Sequence, residues 1–268
     1  MILQFQGKLV GVPDVANAVI GANEPTPPPP TPFPWNSFTD IGTIYQSLGQ
    51  NDQVAFIIRH SERSDDEDPE THEKMLTEAG IQYAIDTGEK LINGIAGSSD
   101  IALYSSNKLR CIDTASYIAQ GSGRSGTPTP IEYISSCPYE EQAPSTGWED
   151  YSLFAYDLPT IHGGVFYPKA TITPQILDLV KRNMTKKLNI FVTHDQLLEI
   201  FVTDMCNKEI SLRFWDGAIN DGVNEKRWIT YLAGLAIIRR GNGSYEWCPV
   251  KSLDRGFQRG YDWRYIPG

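Results

Sequence analysis

Cysteine is sparse in this chain, positive charge falls short of negative, and no long apolar run occurs. The four cysteines, Cys111, Cys137, Cys206 and Cys248, are scattered through 268 residues with no C-x-x-C pair. Neither His72 nor His162 stands at a metal-ligand spacing from them, which argues against zinc. The spacing leaves disulfide pairing open, and with it the compartment. Lys and Arg total 23 against 33 Asp and Glu, a net charge of −10. That balance argues against a nucleic-acid partner held through counterion release. It also means that any anion site must be a local positive pocket in a repulsive overall field. No apolar stretch reaches the roughly 20 residues needed to span a bilayer. Residues 1–8 alternate in polarity but lack the basic and apolar blocks of a signal peptide. There is no internal repeat.

The apolar content of 40% is ample for a core, and the length suits one large α/β domain or two small ones. Residues 1–23 form a short segment, apolar in patches. Residues 24–33 are a proline-rich linker, Glu24-Pro25-Thr26-Pro27-Pro28-Pro29-Pro30-Thr31-Pro32-Phe33. Such a run favours extended polyproline II and would hold two bodies roughly 25–30 Å apart. The first segment could then dock on a larger assembly, such as a virion or cell surface, by adding a strand to a sheet edge. The alternative is a plain disordered tail.

From residue 34 to 268 the pattern is globular. Helices are expected over 37–48 (capped by Ser37 or Thr39), 77–95 (capped by Thr77), 108–120, 173–187 and 196–206. Strands are expected over 54–58, 100–104, 131–134 and 188–192. Arg240-Gly241-Asn242-Gly243-Ser244 signals a hairpin between 228–239 and 245–249, which could add an antiparallel edge. Strands alternating with helices imply right-handed βαβ units: an α/β fold whose mostly parallel central sheet has helices on both faces. Residues 135–168 and 207–226 show little periodicity. Connections of that length in a compact domain are usually functional or insertions.

Three expected strands end in polar or basic residues. Val54-Ala55-Phe56-Ile57-Ile58 stops at Arg59-His60-Ser61-Glu62-Arg63. Ile101-Ala102-Leu103-Tyr104 ends at Ser105-Ser106, with Arg110 in the following helical turn. Ile190-Phe191-Val192-Thr193 ends at His194-Asp195. In a parallel sheet these ends share one rim, where ligands bind. Arginines there suit phosphate or carboxylate, because the guanidinium is a planar fork of donors. A histidine among them could be a nucleophile. The acidic stretch 65–73 reads as a solvated loop beside the site.

These segments resemble the histidine phosphatase superfamily, the phosphoglycerate-mutase-like proteins. Arg59-His60-Ser61-Glu62-Arg63 is similar to its Arg-His-Gly/Ala-x-Arg signature, and Leu76-Thr77-Glu78-Ala79-Gly80 to its Leu-Thr-x-x-Gly element. Ser105-Ser106-Asn107-Lys108-Leu109-Arg110-Cys111-Ile112-Asp113-Thr114-Ala115 and Val192-Thr193-His194-Asp195 resemble its next two motifs. The resemblance covers roughly residues 50–240 and leaves out the first 33. It implies a phosphoglycerate-mutase-like fold and a phosphorylated substrate, small or macromolecular, with no cofactor. It further implies that His60 takes the phosphoryl group, while Arg59, Arg63, Arg110 and His194 bind its oxygens. Phosphomonoester hydrolysis and phosphoryl mutase activity differ only in whether water or a substrate hydroxyl accepts that group.

In one branch of the family the aspartate after the second histidine protonates the leaving oxygen, which points to Asp195. In the other a glutamate from the loop after the third strand does so, which points to Glu141, then Glu140 and Glu149. Asp195 could instead be a helix N-cap, and the glutamates could be solvated loop residues. Ser61 stands where glycine or alanine is common, and its hydroxyl could bond phosphate. Trp148, Tyr151, Phe154, Tyr156, Phe166, Trp215 and Trp228 could wall a cleft or cover the core.

Overall fold

The computed structural model describes residues 38–92, 100–135, 169–206, 228–253 and 257–258. The expected anchor segment 1–23, the linker 24–33, Glu140, Glu141, Glu149 and six of the seven aromatics lie outside them, as does the side chain of Trp228.

The described chain is α/β. Nine strands run in chain order: β1 (Thr39–Asp40), β2 (Gln53–Arg59), β3 (Ile101–Ser105), β4 (Thr129–Pro130), β5 (Leu188–Thr193), β6 (Trp228–Ile229), β7 (Gly234–Arg239), β8 (Tyr245–Lys251) and β9 (Phe257–Gln258). The helices are α1 (Ile41–Gln46), α2 (Glu78–Glu89), α3 (Leu109–Gly121), α4 (Lys169–Asn183) and α5 (Asp195–Met205). Seven strands form one sheet in the order β1-β8-β7-β2-β5-β3-β4, and β6 pairs with β9 apart from it. The pairs β2–β5, β5–β3, β3–β4 and β1–β8 are parallel, whereas β7 lies antiparallel to both β2 and β8.

Each sheet face has its own core. On one, Ala55, Ile57, Phe191, Leu235 and Ile237 pack against Ile176 and Val180 of α4 and Leu197, Leu198, Phe201 and Val202 of α5. On the other, Val54, Phe56, Ile58, Ile190 and Ala236 pack against α1, α2 and α3 through residues such as Ile41, Ala84, Ala115 and Ile118. Alternate residues of β2 and β7 therefore serve opposite cores, as a pleated strand covered on both sides requires. Burying such a residue contributes about 1.5–3 kcal/mol.

Several expected elements are redrawn. The first helix starts at Ile41 because Thr39–Asp40 pairs with β8, and Asp40 is its cap, accepting from Gly42 N at 2.9 Å and Thr43 N at 3.2 Å. Residues 131–134 are not a strand. The only strand there is Thr129–Pro130, and Glu132–Ile134 closes as a 3-10 turn. The fourth helix stops at Asn183, because the Asn189 side chain accepts from Thr185 N and Lys186 N, both at 3.1 Å, and shapes the turn into β5. The hairpin is internal to the sheet rather than its edge: β7 pairs along β2, and β1 lies outside β8. Its turn places Gly243 at φ +88°, which glycine adopts at little cost. Among the described residues no helix is long and apolar enough to cross a membrane.

Candidate active site

Strands β2, β5 and β3 are adjacent, parallel and level at their C-terminal ends, with Arg59 opposite Thr193 and Ser105 opposite Val192. The chain continues this ladder just past the sheet: His60 N donates to Thr193 O and Ser106 N to Val192 O, both at 2.9 Å. Arg59, His60, Ser106 and His194 thus converge on one rim, and the first turn of α3 brings Arg110. The His60 and His194 rings meet edge-on with centroids 5.5 Å apart. Arg110 Nη2 lies 3.4 Å from His194 Nδ1. Arg63 follows on the same loop, its side chain 4% exposed, with Nη1 donating to Ser64 O at 3.0 Å and lying 3.7 Å from Asp65.

The loop that carries His60 is fixed from below. Ser61 N donates to Thr114 Oγ1 at 3.0 Å, and Ser61 Oγ donates to Gly80 O at 2.6 Å. This corrects the expectation for Ser61. Its fully buried hydroxyl is committed to the start of α2 rather than offered to an anion. Gly80 is required by the same contact, since a Cβ there would stand 2.0 Å from Glu62 O. Thr77 caps α2 as expected, accepting from Gly80 N at 2.9 Å.

Two hydrogen bonds set the imidazole tautomers. His60 Nδ1 lies 2.7 Å from Ser61 O, a pure acceptor, so Nδ1 carries the proton and Nε2 keeps its lone pair. At His194, Arg110 can only donate to Nδ1. The neutral ring therefore carries its proton on Nε2, 3.0 Å from Ser106 Oγ. Burial pushes the pKa of both rings below the ordinary value of 6.5. For His60, Arg59, His194 and Arg110 then add to the effect; for His194, Arg110 does so foremost.

Positive charge at this rim is only partly neutralised. Arg59 Nη2 pairs with Asp195 Oδ2 at 2.7 Å, and its Nη1 donates to Ile229 O at 2.8 Å. Yet the buried Nε atoms of Arg59 and Arg110 have no hydrogen-bond partner. A buried guanidinium N–H left unmade costs about 1–3 kcal/mol. Donors held this way around an uncharged ring nitrogen complement a tetrahedral oxyanion. Burial also lowers the pKa of Arg110. Asp195 is not an N-cap: the cap position is His194, and Asp195 opens the first turn of α5, where a carboxylate suits the helix dipole. Among the described residues no group of three His, Cys, Asp or Glu is placed to hold a metal ion.

Three nearby residues have little or no signal in the sequence. The stretch 65–73 is more than a solvated loop, because Glu73 Oε2 accepts from Leu109 N at 2.8 Å and so caps α3, which has no side-chain cap of its own. The thiol of Cys111 lies 3.7 Å from His194 Nε2, and burial pushes its pKa up to about 12, which keeps it a thiol. Tyr231 places its ring 4.3 Å from the Arg59 guanidinium carbon and 5.7 Å from the His60 ring. The next residue, Leu232, is fully buried with φ +59°, a left-handed conformation costing roughly 1–3 kcal/mol in a residue with a Cβ.

No protein-family model matches the sequence, and no curated protein does. Among solved structures the chain is similar in fold to the phosphoserine phosphatase of Entamoeba histolytica, with 17% identity over 75% of this chain and 98% of that one and a TM-score of 0.47. It is likewise similar to a mycobacterial glucosyl-3-phosphoglycerate phosphatase solved with inorganic phosphate, at 13% identity, 75% and 97% coverage and a TM-score of 0.44. A phosphoglycerate mutase of Bacillus anthracis matches at 13% identity, 78% and 95% coverage and the same score of 0.44.

Proposed function

We propose that the protein is a metal-independent phosphomonoesterase that works through a phosphohistidine on His60. The observation that carries this reading is the Ser61 carbonyl on His60 Nδ1 at 2.7 Å, with Arg59, Arg110 and His194 gathered around the same ring. The lock leaves Nε2 as the attacking nitrogen. Burial and the neighbouring cations keep it unprotonated.

In the proposed cycle the phosphoryl oxygens are held by Arg59, Arg63, Arg110 and His194. Nε2 of His60 forms a bond to phosphorus as the ester oxygen leaves, taking a proton from Asp195. Water then attacks the phosphohistidine, gives its proton back to Asp195 and releases phosphate. Substrate phosphate competes with Asp195 for Arg59. As it displaces the carboxylate from that ion pair, it frees it to take up the proton that it must deliver. Glu141, Glu140 and Glu149 are the competing donors. Transfer to a second substrate hydroxyl instead of water would make the protein a mutase.

The test is hydrolysis of an aryl phosphate at acidic and neutral pH, with and without chelator. Turnover should survive the chelator. His60→Ala should eliminate it with the circular dichroism spectrum unchanged, together with the acid-labile phosphoprotein trapped by rapid quench. Absence of turnover at every pH, or its loss to chelator, overturns the reading.

A further inference from the structure

The run Ile229–Ile238 is buried at every side chain except Tyr231, which is half-buried at the rim. Its turn is stitched to Arg59. Arg59 Nη1 donates to Ile229 O at 2.8 Å, Arg59 N to Ala233 O at 2.9 Å, and Leu232 N to Arg59 O at 3.2 Å. The left-handed Leu232 completes a turn that holds one aromatic ring against a phosphate-binding arginine and beside the nucleophile. A backbone conformation costly for leucine, kept in a run where Tyr231 alone is not fully buried, is a mark of a placed side chain.

The charge around the pocket supplies a second, independent observation. Asp65, Asp66 and Glu67 are exposed on the loop that follows Arg63, and Glu73 and Asp195 lie close to Arg110. The cations of the site face the phosphoryl position. Beyond it stand these carboxylates and the Tyr231 ring, with Lys108 set against Glu73 at 3.7 Å. A leaving group on phosphorus held between His60 and Arg59 starts within a ring's length of Tyr231.

We propose that Tyr231 is the wall that selects the leaving group, and that the pocket takes phosphomonoesters of an uncharged alcohol bearing a ring. An aryl group or the C–H face of a sugar ring gains contact with the tyrosine face, worth about tenfold in affinity. A carboxylate on the alcohol instead meets Asp65, Asp66 and Glu67, while Lys108, the lysine that bears on His194, already faces Glu73 at 3.7 Å, so the anionic alcohol is disfavoured. This inference rests on the phosphatase reading for its substrate but not for its recognition.

The experiment compares kcat/KM for an aryl phosphate and a hexose phosphate with those for 3-phosphoglycerate and phosphoserine. The ring-bearing, uncharged alcohols should lead by about tenfold or more. Tyr231→Ala should raise KM for them about tenfold while shifting the inhibition constant of inorganic phosphate less than about threefold, and Tyr231→Phe should restore KM. A preference for the anionic alcohols overturns the proposal. So does a Tyr231→Ala variant that weakens phosphate as much as the esters, or a Phe variant as poor as Ala. Calorimetric binding of phenylphosphonate to His60→Ala separates the two readings. Tyr231-dependent binding there, beside a wild-type protein that hydrolyses nothing, sinks the phosphatase and keeps the wall. Tyr231-independent binding, or none, sinks the wall.

Discussion

The two ends of the central sheet both carry arginines, and they use them in opposite ways. At the end opposite the histidines, Gln50, Asp52, Lys187, Arg239, Arg240 and Asn242 line a cleft of about 550 Å³. There Arg240 is forked between Asp52 at 2.8 Å and Glu246 at 2.6 Å, and these hydrogen bonds raise its pKa. Burial works against ionisation of Asp52, yet Arg240 and the backbone N–H groups of Gly49 and Gly241 hold its pKa below the ordinary value. Both terminal nitrogens of Arg240 are thus engaged by carboxylates of the protein itself. At the histidine end, burial lowers the pKa of Arg110, and the Nε atoms of Arg59 and Arg110 are orphaned. That cleft is therefore the poorer anion site. Uncompensated donors identify a place built for a ligand where they gather around a neutral ring nitrogen, as at His60; the orphaned Nε of Arg124, held among Leu91, Ser122 and Tyr45, has no such ring beside it.

The largest contrast should come from exchanging the arginines for alanine. Arg110→Ala should lower kcat/KM for an aryl phosphate by about 10²–10³ with melting temperature unchanged or raised, because it removes a buried, partly unpaired charge. Arg240→Ala should leave kcat/KM unchanged and cost about 2 kcal/mol of stability by stranding two carboxylates. Loss of activity from the second, or loss of stability from the first, would break the contrast.

A smaller effect separates the carboxylates. Asp195→Asn should slow hydrolysis of alkyl phosphates by about 10², and that of p-nitrophenyl phosphate far less, since a good leaving group needs no proton. Asp52→Asn should alter neither. Equal loss on both leaving groups would remove Asp195 from the role of donor and return attention to Glu141.

A third contrast concerns pH. Both histidines have folded pKa values below the unfolded 6.5, so under that pH the unfolded chain binds more protons than the folded one. Stability should therefore fall as pH drops from about 6.5 to 5, by about 2 kcal/mol for each histidine that stays neutral. Asp52 contributes almost nothing in that window, because the ordinary carboxylate pKa of the unfolded chain and the lowered one of the folded chain both lie below it. Sulfate, a dianion throughout, should restore the lost melting temperature by favouring charged His194, and calorimetry in two buffers should show proton uptake on binding. A melting temperature flat across this range would mean the rings are not held neutral.

What could be read in advance follows from the range of the interactions. The run Val54–Ile58 with its Arg-His end is local, and so is the capping of α2 by Thr77; both were legible. Ile131–Ile134 alternates like a strand, but Thr193 Oγ1 reaches across to donate to Ile134 O at 2.6 Å and the segment turns instead. The interior place of the hairpin depends on pairing β2 with residues about 180 positions away, which no local pattern encodes. Ser61 displayed a hydroxyl, but only the approach of Gly80 decides where that hydroxyl goes. Tyr231 belongs to no motif. Its position follows from Arg59 and from the left-handed turn beside it.

The strand that carries His60 has a consequence for synthesis. Its two sheet neighbours, Leu188–Thr193 and Gly234–Arg239, are translated long after it. At ribosomal speed, Val54–Ile58 waits roughly ten seconds for the first of them, with both of its hydrogen-bonding edges bare. During that interval it is the segment most exposed to pairing with another nascent chain. Expression yield should therefore respond to chaperone supply and to growth temperature before it responds to any substitution in the pocket.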